Sequence, residues 1–320
     1  MDNILKLFFV FGMCFCVLCS LGYAEIPEDE LEGTITMSGA WALYPMAVRW
    51  SEEFQKIYPK VHIDVAAGGA GKGMVDCLAQ VVDIGMVSRD IYPEEIEKGA
   101  WWVSVTKDAV VPTFNEENPV KERLLMQGGK KETFIGMWIT GEVRNWGQVC
   151  DCDRPYEIDL YTRSDACGAA KTWAKYLGGT QEDLLGIGVY GDPGLAEAVK
   201  KDVFGVGFNN INFVYDAETK HPVAGLRILP IDLDSNGNID EKENFYTNRD
   251  DLVHAIATGR YPSPPARDLH FVSQGKPARA LVRTFLKWVL TDGQKFVPES
   301  GYINLRSEKI NAELRKLEEE

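Results

Sequence analysis

Three turns, each joining a strand-like run to a helix-like run, constrain the fold of this 320-residue chain more than any other feature. The runs and their turns are residues 33–37 with 38–39, residues 61–67 with 68–73, and residues 158–162 with 163–168. Small residues at such turns predict helices whose N-termini point out of a sheet. Unpaired backbone N–H groups and the helix dipole make a helix N-terminus attractive to anions. The three turns therefore indicate a protein that holds an oxyanion.

The rest of the chain also alternates between strand-like and helix-like segments, which indicates a mostly parallel sheet covered by helices. An apolar run at 108–114 predicts a first crossing between two lobes, and the strand-like residues 269–272 predict the return. We expect an α/β fold in which lobe 1 comprises residues 25–113 and 269–320, and lobe 2 comprises residues 114–268. Ligands of such folds bind in the cleft, at the carboxyl ends of strands.

The net charge of the chain limits the classes of partner. Lysine and arginine together number 34 and aspartate and glutamate 48, which gives a formal net charge of −14. This charge argues against nucleic acid or an anionic membrane surface as a partner. An anionic ligand must therefore be attracted by local dipoles and particular arginines rather than by the overall field. We expect the protein to be a monomer.

Residues 1–24 are typical of a cleaved secretory signal peptide. Lys6 precedes an apolar run at 7–18, and Gly22-Tyr23-Ala24 provides small residues at the cleavage positions. Because the apolar run is short for a membrane span, we expect an exported protein, periplasmic or extracellular. Such compartments permit disulfides, and the sequence leaves open three pairings of the remaining cysteines: Cys77, Cys150, Cys152 and Cys167.

Several segments together give the chain a resemblance to a known family over nearly the whole length after residue 24. The segments are Ser38-Gly39-x-x-Ala42-Leu43-Tyr44-Pro45 and residues 68–73, 82–89, 140–146, 163–168 and 288–294. In this order and spacing they resemble the periplasmic phosphate-binding proteins of ABC importers, within the type II solute-binding fold. The resemblance implies two lobes, each a mixed, mostly parallel sheet flanked by helices, joined by two crossing strands. It also implies that phosphate is captured in the interlobe cleft and delivered to an ABC permease.

In that family, turns matching four segments of this chain hold phosphate through backbone N–H groups, hydroxyls and an arginine. The resemblance makes Arg163 the charge partner of the anion, because a planar guanidinium can donate twice to one oxyanion. It makes Asp165 the residue that restrains Arg163, and a surface ion pair of the two is the alternative. The other residues that the resemblance places at the anion are Ser38, Ala40, Trp41, Ala42, Ala70, Gly71, Ser88, Arg89, Cys167, Gly168 and Ala169.

The chain differs from the family at several contact positions, where family members usually carry serine or threonine. The residues found at those positions are Ala40, Trp41, Ala70, Cys167 and Ala169. A buried oxygen that loses a donor costs about 1–3 kcal/mol, so two explanations stay open. Backbone N–H groups with the remaining serines and arginines suffice for phosphate, or the ligand is an organic phosphate, another oxyanion or a carboxylate. Trp41 either stacks on such a ligand or packs between the lobes.

Two other functional classes stay open. An extracellular anion sensor would use the same site and dock on a signalling partner instead of a permease. A thiol-dependent enzyme would pair Cys167 with a histidine, and an exposed thiol at a helix N-terminus would have a lowered pKa. No histidine lies in a recognisable partner motif, and Gly71-Lys72-Gly73 lacks the hydroxyl of a phosphate loop. We therefore expect no enzymatic activity, and no cofactor for the main activity.

A second site is predicted by residues 232–243, which match the twelve-residue calcium loop at each key position. Gly237 takes the place of the sharp turn, and Ile239 that of the inward apolar anchor. The predicted ligands are Asp232, Asp234, Asn236, Asn238 through its carbonyl, Asp240 and Glu243. The alternative is an acidic surface turn, and the strand-like residues before the loop argue against a full EF-hand. A structural calcium ion would brace the loop ahead of a helix at 250–258.

Overall fold

The computed structural model describes residues 31–319, so the expected signal peptide at 1–24 lies outside the described residues. The strands are β1 (Gly33–Gly39), β2 (Val61–Ala67), β3 (Ile84–Val87), β4 (Ala100–Asn115), β5 (Gly129–Lys130), β6 (Asp159–Arg163), β7 (Ile187–Val189), β8 (Gly205–Asn210), β9 (Leu226–Ile228), β10 (Ile231–Asp232) and β11 (Ala266–Gln274).

The α-helices of the same residues include five short ones of four to seven residues. The helices are α1 (Tyr44–Ile57), α2 (Ala70–Leu78), α3 (Pro93–Glu97), α4 (Lys121–Gln127), α5 (Lys131–Ile135), α6 (Trp146–Val149), α7 (Gly168–Leu177), α8 (Gly191–Lys201), α9 (Arg249–Ala257), α10 (Ala280–Leu290), α11 (Phe296–Glu299) and α12 (Ser307–Glu318). A wider π turn, Gly136–Thr140, continues α5. Within residues 31–319, no helix has the length and apolar character needed to cross a membrane.

One sheet extends through both lobes in the strand order β2-β1-β3-β11-β4-β8-β6-β7, with β9 beside β4. In lobe 1, β1 pairs in parallel with β2 and β3, and in lobe 2, β6 pairs in parallel with β7 and β8. The strands β4 and β11 run antiparallel to each other and to their other neighbours. The expected α/β fold with mixed, mostly parallel sheets is confirmed.

Two long strands carry the chain between the lobes. β4 pairs with β11 from Ala100 to Ala109 and continues into lobe 2, where Val110 to Phe114 pair with β8. The hydroxyl of Tyr261 donates to the carbonyl of Val110 at 2.5 Å and fixes β4 where it enters lobe 2. This crossing strand begins at Ala100, so it starts before the apolar run at 108–114 from which the crossing was predicted.

Each lobe has its own large cluster of buried hydrophobic residues. The cluster of lobe 1 surrounds the fully buried Trp50 of α1, and that of lobe 2 surrounds the fully buried Trp173 of α7. On β4 the clusters divide between Val105 and Ala109, and on β11 the lobe 1 cluster begins at Leu269. The hydrophobic cores therefore separate along the two crossing strands, which leaves a junction between the lobes.

Local sequence chemistry explains where the helices at this junction begin and end. Pro45 lies in the first turn of α1, where its missing N–H costs nothing. Cys167 precedes α7, and its Sγ accepts the N–H of Ala170 at 3.4 Å as a helix cap. Gly178 ends α7 with φ of 89°, a left-handed conformation that favours glycine. These residues fix where the two helices begin and where α7 ends.

The structure joins two of the four remaining cysteines and leaves the other two free, so none of the three pairings left open by the sequence is formed in full. Cys150 and Cys152 form a disulfide in the turn after α6. Cys77 and Cys167 are free and buried. Neither free thiol is therefore positioned at the surface of the described chain.

Candidate anion-binding site

Turns from both lobes meet at the junction. Lobe 1 contributes the turn after β1, the N-terminus of α2 and Ser88 after β3, and lobe 2 contributes the turn from β6 into α7. The amide of Gly71 donates to the carbonyl of Ala166 at 3.0 Å, across the lobes. Gly168 lies so close to Ser88 that a Cβ at 168 would be 2.1 Å from Ser88 Oγ. The structure therefore brings together predicted residues that are distant in the sequence.

Arg163 is the charged centre of this junction. Its side chain is fully buried at the end of β6. Nε and Nη2 donate to the two carboxylate oxygens of Asp165 at 2.8 and 2.7 Å, and Nη1 donates to Asp192 at 2.6 Å. Burial lowers the pKa of Arg163, but the charges of Asp192 and Asp165 outweigh burial and hold that pKa well above its usual range. The guanidinium is therefore charged and oriented by two carboxylates.

Asp192, the second of these carboxylates, is not among the residues predicted from the sequence. Asp192 is 1% exposed in the first turn of α8, and its oxygens accept the amide and the side-chain Nδ2 of Asn210 at 3.1 and 2.7 Å. The amide of Gly191 donates to Asp165 at 3.1 Å, so the two carboxylates are positioned from one turn. A signal was present, because β7 followed by Gly191-Asp192-Pro193 repeats the strand-to-helix layout of the three other turns.

A second arginine on the crossing strands was also missed. Arg267 of β11 is buried, donates to Asn210 Oδ1, and has its Nη2 3.7 Å from Asp108 of β4. Its Nε and Nη1 have no hydrogen-bond partner in the described part of the chain. Burial raises the pKa of Asp108 to about 7, although the charge of Arg267 works against that rise. Nothing in the local sequence distinguishes Arg267 from other arginines, because its position depends on β11 pairing with β4.

These contacts decide how the site can attract an anion. The charge of Arg163 is already balanced by Asp165 and Asp192, so it does not act as a free cation. The amides of Trp41 and Ala42 have no hydrogen-bond partner within residues 31–319. The first amides of α2 and α7 have no acceptor inside their own helices. Attraction therefore comes mainly from backbone donors and helix dipoles, at Ala70 in lobe 1 and at Gly168 and Ala169 in lobe 2. The amide of the predicted Gly71 is already engaged by the carbonyl of Ala166.

Two predicted residues of the first turn direct their donors elsewhere. The hydroxyl of Ser38 donates to Asp76 of α2 at 2.7 Å. The amide of Ala40 donates to the carbonyl of Met86 at 2.9 Å and thereby continues the pairing of β1 with β3. These bonds fix the turn after β1, and they leave the neighbouring amides of Trp41 and Ala42 as its donors.

Arg89 is held inside lobe 1. Its two terminal nitrogens donate to the two oxygens of Glu95 at 2.8 and 2.6 Å, and the guanidinium lies 4.3 Å from the ring centre of Tyr92. Arg89 lines a cavity of about 900 Å³ between the lobes, together with Arg267. Its guanidinium is therefore engaged by Glu95 and Tyr92, and a role for Arg89 at the anion stays a prediction.

Trp41 lies between the lobes. Its ring meets Tyr190 edge-on, at 6.4 Å between centroids, and a Cβ at Gly191 would be 3.3 Å from the indole. The indole Nε1 is buried without a hydrogen-bond partner in the described chain. These contacts are those of the packing role, one of the two roles that the sequence left open.

Cys167 does not have the exposure on which the expected pKa depended. It is 3% exposed, and burial raises the pKa of its thiol to about 12, although the charge of Arg163 works against that rise. No hydrogen bond joins it to a histidine within residues 31–319. A neutral, buried thiol lacks the reactivity that a cysteine nucleophile requires.

Comparisons with known proteins agree with this architecture. A family model described as the PBP superfamily domain matches residues 26–293. The chain is 26% identical to protein SphX of Synechococcus elongatus over 288 residues, 87% of this chain and 79% of SphX. It is 25% identical to the phosphate-binding protein PstS of Bacillus subtilis over 289 residues, 88% of this chain and 84% of PstS.

Solved structures give the same result for the fold. A phosphate ABC transporter substrate-binding protein from Clostridium perfringens, solved with bound phosphate, has a TM-score of 0.70 at 18% identity and covers 86% of this chain and 100% of its own. An ABC-type phosphate transport receptor from Vibrio cholerae has a TM-score of 0.61 at 19% identity, with 85% and 100% coverage. These matches confirm the resemblance seen in the sequence. Because the family model matches more than half of its residues, the chain belongs to the PBP superfamily.

Proposed function

We propose that this protein is an exported solute-binding protein that captures phosphate between its lobes and delivers it to an ABC permease. The observation that carries the proposal is the convergence of helix N-termini from both lobes on the fully buried Arg163. Relatives from Bacillus subtilis and other organisms carry the name phosphate-binding protein PstS, which supports phosphate as the ligand. The signal-like residues 1–24 support export.

The proposed mechanism is closure of the lobes on the anion. Phosphate would receive hydrogen bonds from lobe 1 at Trp41, Ala42 and the first turn of α2, and from lobe 2 at the first turn of α7 and Arg163. An anion that contacts both lobes binds the closed state more tightly than the open state. The ligand therefore shifts the population toward the closed state. A permease can then recognise the closed form.

Three positions around the site lack the hydroxyls that would select a ligand by hydrogen-bonding its oxygens. Ala40, Ala70 and Ala169 are all buried there. A site that relies on backbone amides is less specific for one oxyanion, and for this reason other oxyanions and phosphonates belong in the test. Binding of a different anion would change the ligand in the proposal and keep its mechanism.

The experiment is calorimetric titration of ligand-stripped protein with phosphate, sulfate, molybdate and a phosphonate. Mass spectrometry and elemental analysis of the ligand that co-purifies with the protein identify the natural occupant. We expect saturable binding of one phosphate per chain, with weaker binding of the other anions. An absence of binding to every anion would contradict the proposal.

Variants of Arg163 test whether this side chain contributes to phosphate affinity. We expect Arg163→Ala to weaken phosphate binding by about tenfold or more, the equivalent of one lost charged hydrogen bond. Because that change leaves two buried carboxylates unpaired, Arg163→Lys serves as a milder second variant that keeps a charge but loses the planar fork. The exposed Arg154→Ala is the control and should bind as the wild type does. Equal affinity in all four proteins would remove Arg163 from the site.

A further inference from the structure

We propose that the loop at residues 232–243 binds one calcium ion, at a site separate from the interlobe junction. One carboxylate oxygen from each of Asp232, Asp234 and Glu243 lies within 4.8 Å of the other two. This group combines the first, third and twelfth positions of a calcium loop, which supply most of the charge of such a site. Calcium coordination by oxygen therefore fits both the order of residues in the loop and their meeting in space.

Burial separates this group from an ordinary acidic surface turn. Asp232 is 2% exposed and Glu243 is 5% exposed, whereas Asp234 is exposed. None of the three forms an ion pair with a lysine, arginine or histidine in the described part of the chain. Buried carboxylates are costly unless they are paired or coordinate a metal. The described part of the chain therefore supplies no cation to balance these three carboxylates.

A second observation that points to a metal is an unpartnered carboxylate oxygen of Glu243. Oε1 accepts the amides of Leu233 and Asp234 at 2.7 and 3.1 Å, and these bonds hold the carboxylate across the loop. Oε2 is buried and has no hydrogen-bond partner within residues 31–319. An unsatisfied buried carboxylate oxygen beside two other carboxylates is placed as a metal ligand would be.

The rest of the loop is held against lobe 2. The strand β10, which leads into the loop, pairs with β5, and the amide of Ile239 donates to the carbonyl of Met126 at 2.7 Å. Ile239 packs so closely on Gly128 that a Cβ there would be 2.5 Å from its Cδ1. A bound ion would therefore brace the segment between α4 and β5 as well as the loop itself.

The oxygen ligands favour calcium over magnesium. Three carboxylates and the carbonyl and amide oxygens of the loop offer more protein ligands than magnesium, which keeps several of its waters, usually takes. Asp240, the predicted ninth-position ligand, lies outside the group of three, and its Oδ1 accepts the amide of Lys242 at 2.8 Å. Water-mediated contact is common at that position of calcium loops.

The test uses the full chain, stripped of metal with a chelator and titrated with calcium chloride by calorimetry. We expect one calcium ion per chain, a higher Tm with calcium than with chelator, and magnesium binding at least about tenfold weaker. Glu243→Gln keeps the shape of the side chain and should weaken calcium binding by at least about tenfold. Glu241→Gln removes an exposed charge from the same loop and should leave the affinity within about twofold of wild type.

The outcomes separate a built site from general attraction to acidic residues. If Glu243→Gln fails to fold, Asp234→Asn replaces it, because Asp234 is exposed. The proposal is overturned if the wild type binds no calcium at about 1 mM, the weak end of known calcium loops. It is also overturned if Glu241→Gln weakens binding as much as Glu243→Gln does. Phosphate titration of the same samples is read separately, so failure here leaves the proposed function untouched.

Discussion

Arg163 owes its orientation to the protein itself, before any ligand is considered. Three of its N–H donors are engaged by Asp165 and Asp192, which leaves one donor on each terminal nitrogen. The pairing with Asp165 could be predicted, because the two residues lie two positions apart directly after a strand. The pairing with Asp192 could not, because it depends on β7 lying beside β6, which local sequence does not encode.

Cys167 offers a test at the scale of one residue. Its sulfur caps α7 at 3.4 Å from the amide of Ala170, and a hydroxyl is a stronger acceptor than a thiol. We expect Cys167→Ser to raise the free energy of unfolding by about 0.5–1 kcal/mol, measured by chemical denaturation at neutral pH. The matched control is Cys77→Ser, a buried thiol that donates to Val272 and caps no helix, and it should give no gain. A loss of stability in Cys167→Ser would contradict the gain expected from a hydroxyl cap.

At the scale of elements, the chain shows where hydrophobic patterns succeed and fail. The face of Met46, Trp50, Phe54 and Ile57 predicts a helix at 45–58, and the structure has α1 at Tyr44–Ile57. Ile57 does not share the burial of the other three, because it is exposed at the end of the helix. For α2 the sequence suggests 73–81, but the helix begins at Ala70 despite its glycines. Gly73 explains the difference, because a Cβ there would be 2.6 Å from the carbonyl oxygen of Met86. Close packing on β3 overrides the low helix propensity of glycine.

The crossing strand β4 extends further than its apolar pattern predicts. The sequence predicts only its second half, because Ser104, Thr106 and Lys107 interrupt the apolar pattern of the first half. In the structure, the hydroxyl of Thr106 donates to the carbonyl of Ile303 at 2.9 Å, and the amide of Lys107 donates to the same oxygen at 2.9 Å. Polar residues are tolerated in this strand because a distant segment satisfies them, and sequence patterns cannot report such a partner.

The same strand gives a prediction about pH. Burial raises the pKa of Asp108 to about 7 in the folded chain, above its ordinary value of 3.8. Between those values the folded state keeps a proton that the unfolded state has lost, so this contribution to stability is complete below pH 3.8 and is lost as the pH rises through 7. We expect Asp108→Asn to gain stability relative to wild type as the pH is raised from 5 to 8.

Thermal unfolding of both proteins at the two pH values measures this gain. The exposed Asp153→Asn is the control and should follow the wild type at both values. A difference in Tm between Asp108→Asn and wild type that stays constant from pH 5 to pH 8 would contradict the account of this strand.

At the scale of the whole molecule, the order of elements and the glycine-rich turns were enough to predict the fold class. The described chain has a separate hydrophobic core on each side of the crossing strands. What the sequence could not give is the closed contact between the lobes, where Gly168 meets Ser88 and Gly71 meets Ala166. These pairs join residues from different lobes, so only the assembled fold places them together.

Closure can be blocked at one of these contacts without removing a polar group from the site. Gly168→Ala adds a Cβ that would be 2.1 Å from Ser88 Oγ and 2.2 Å from the Ser88 carbonyl oxygen. Alanine is a better helix former than glycine, so lobe 2 should keep its stability. We expect this variant to lose phosphate affinity by about tenfold or more, because the lobes cannot meet. Gly194→Ala is the control, since its Cβ would contact only Val189 of the same lobe at 3.2 Å.

The central claim, that the two lobes close on phosphate, is tested most directly by small-angle X-ray scattering of stripped protein with and without phosphate. The account predicts that phosphate lowers the radius of gyration of the wild type and of Gly194→Ala, and that Gly168→Ala keeps the larger radius. If the wild type binds phosphate with no change in its radius, or if Gly168→Ala contracts to the same extent, closure on the anion is contradicted.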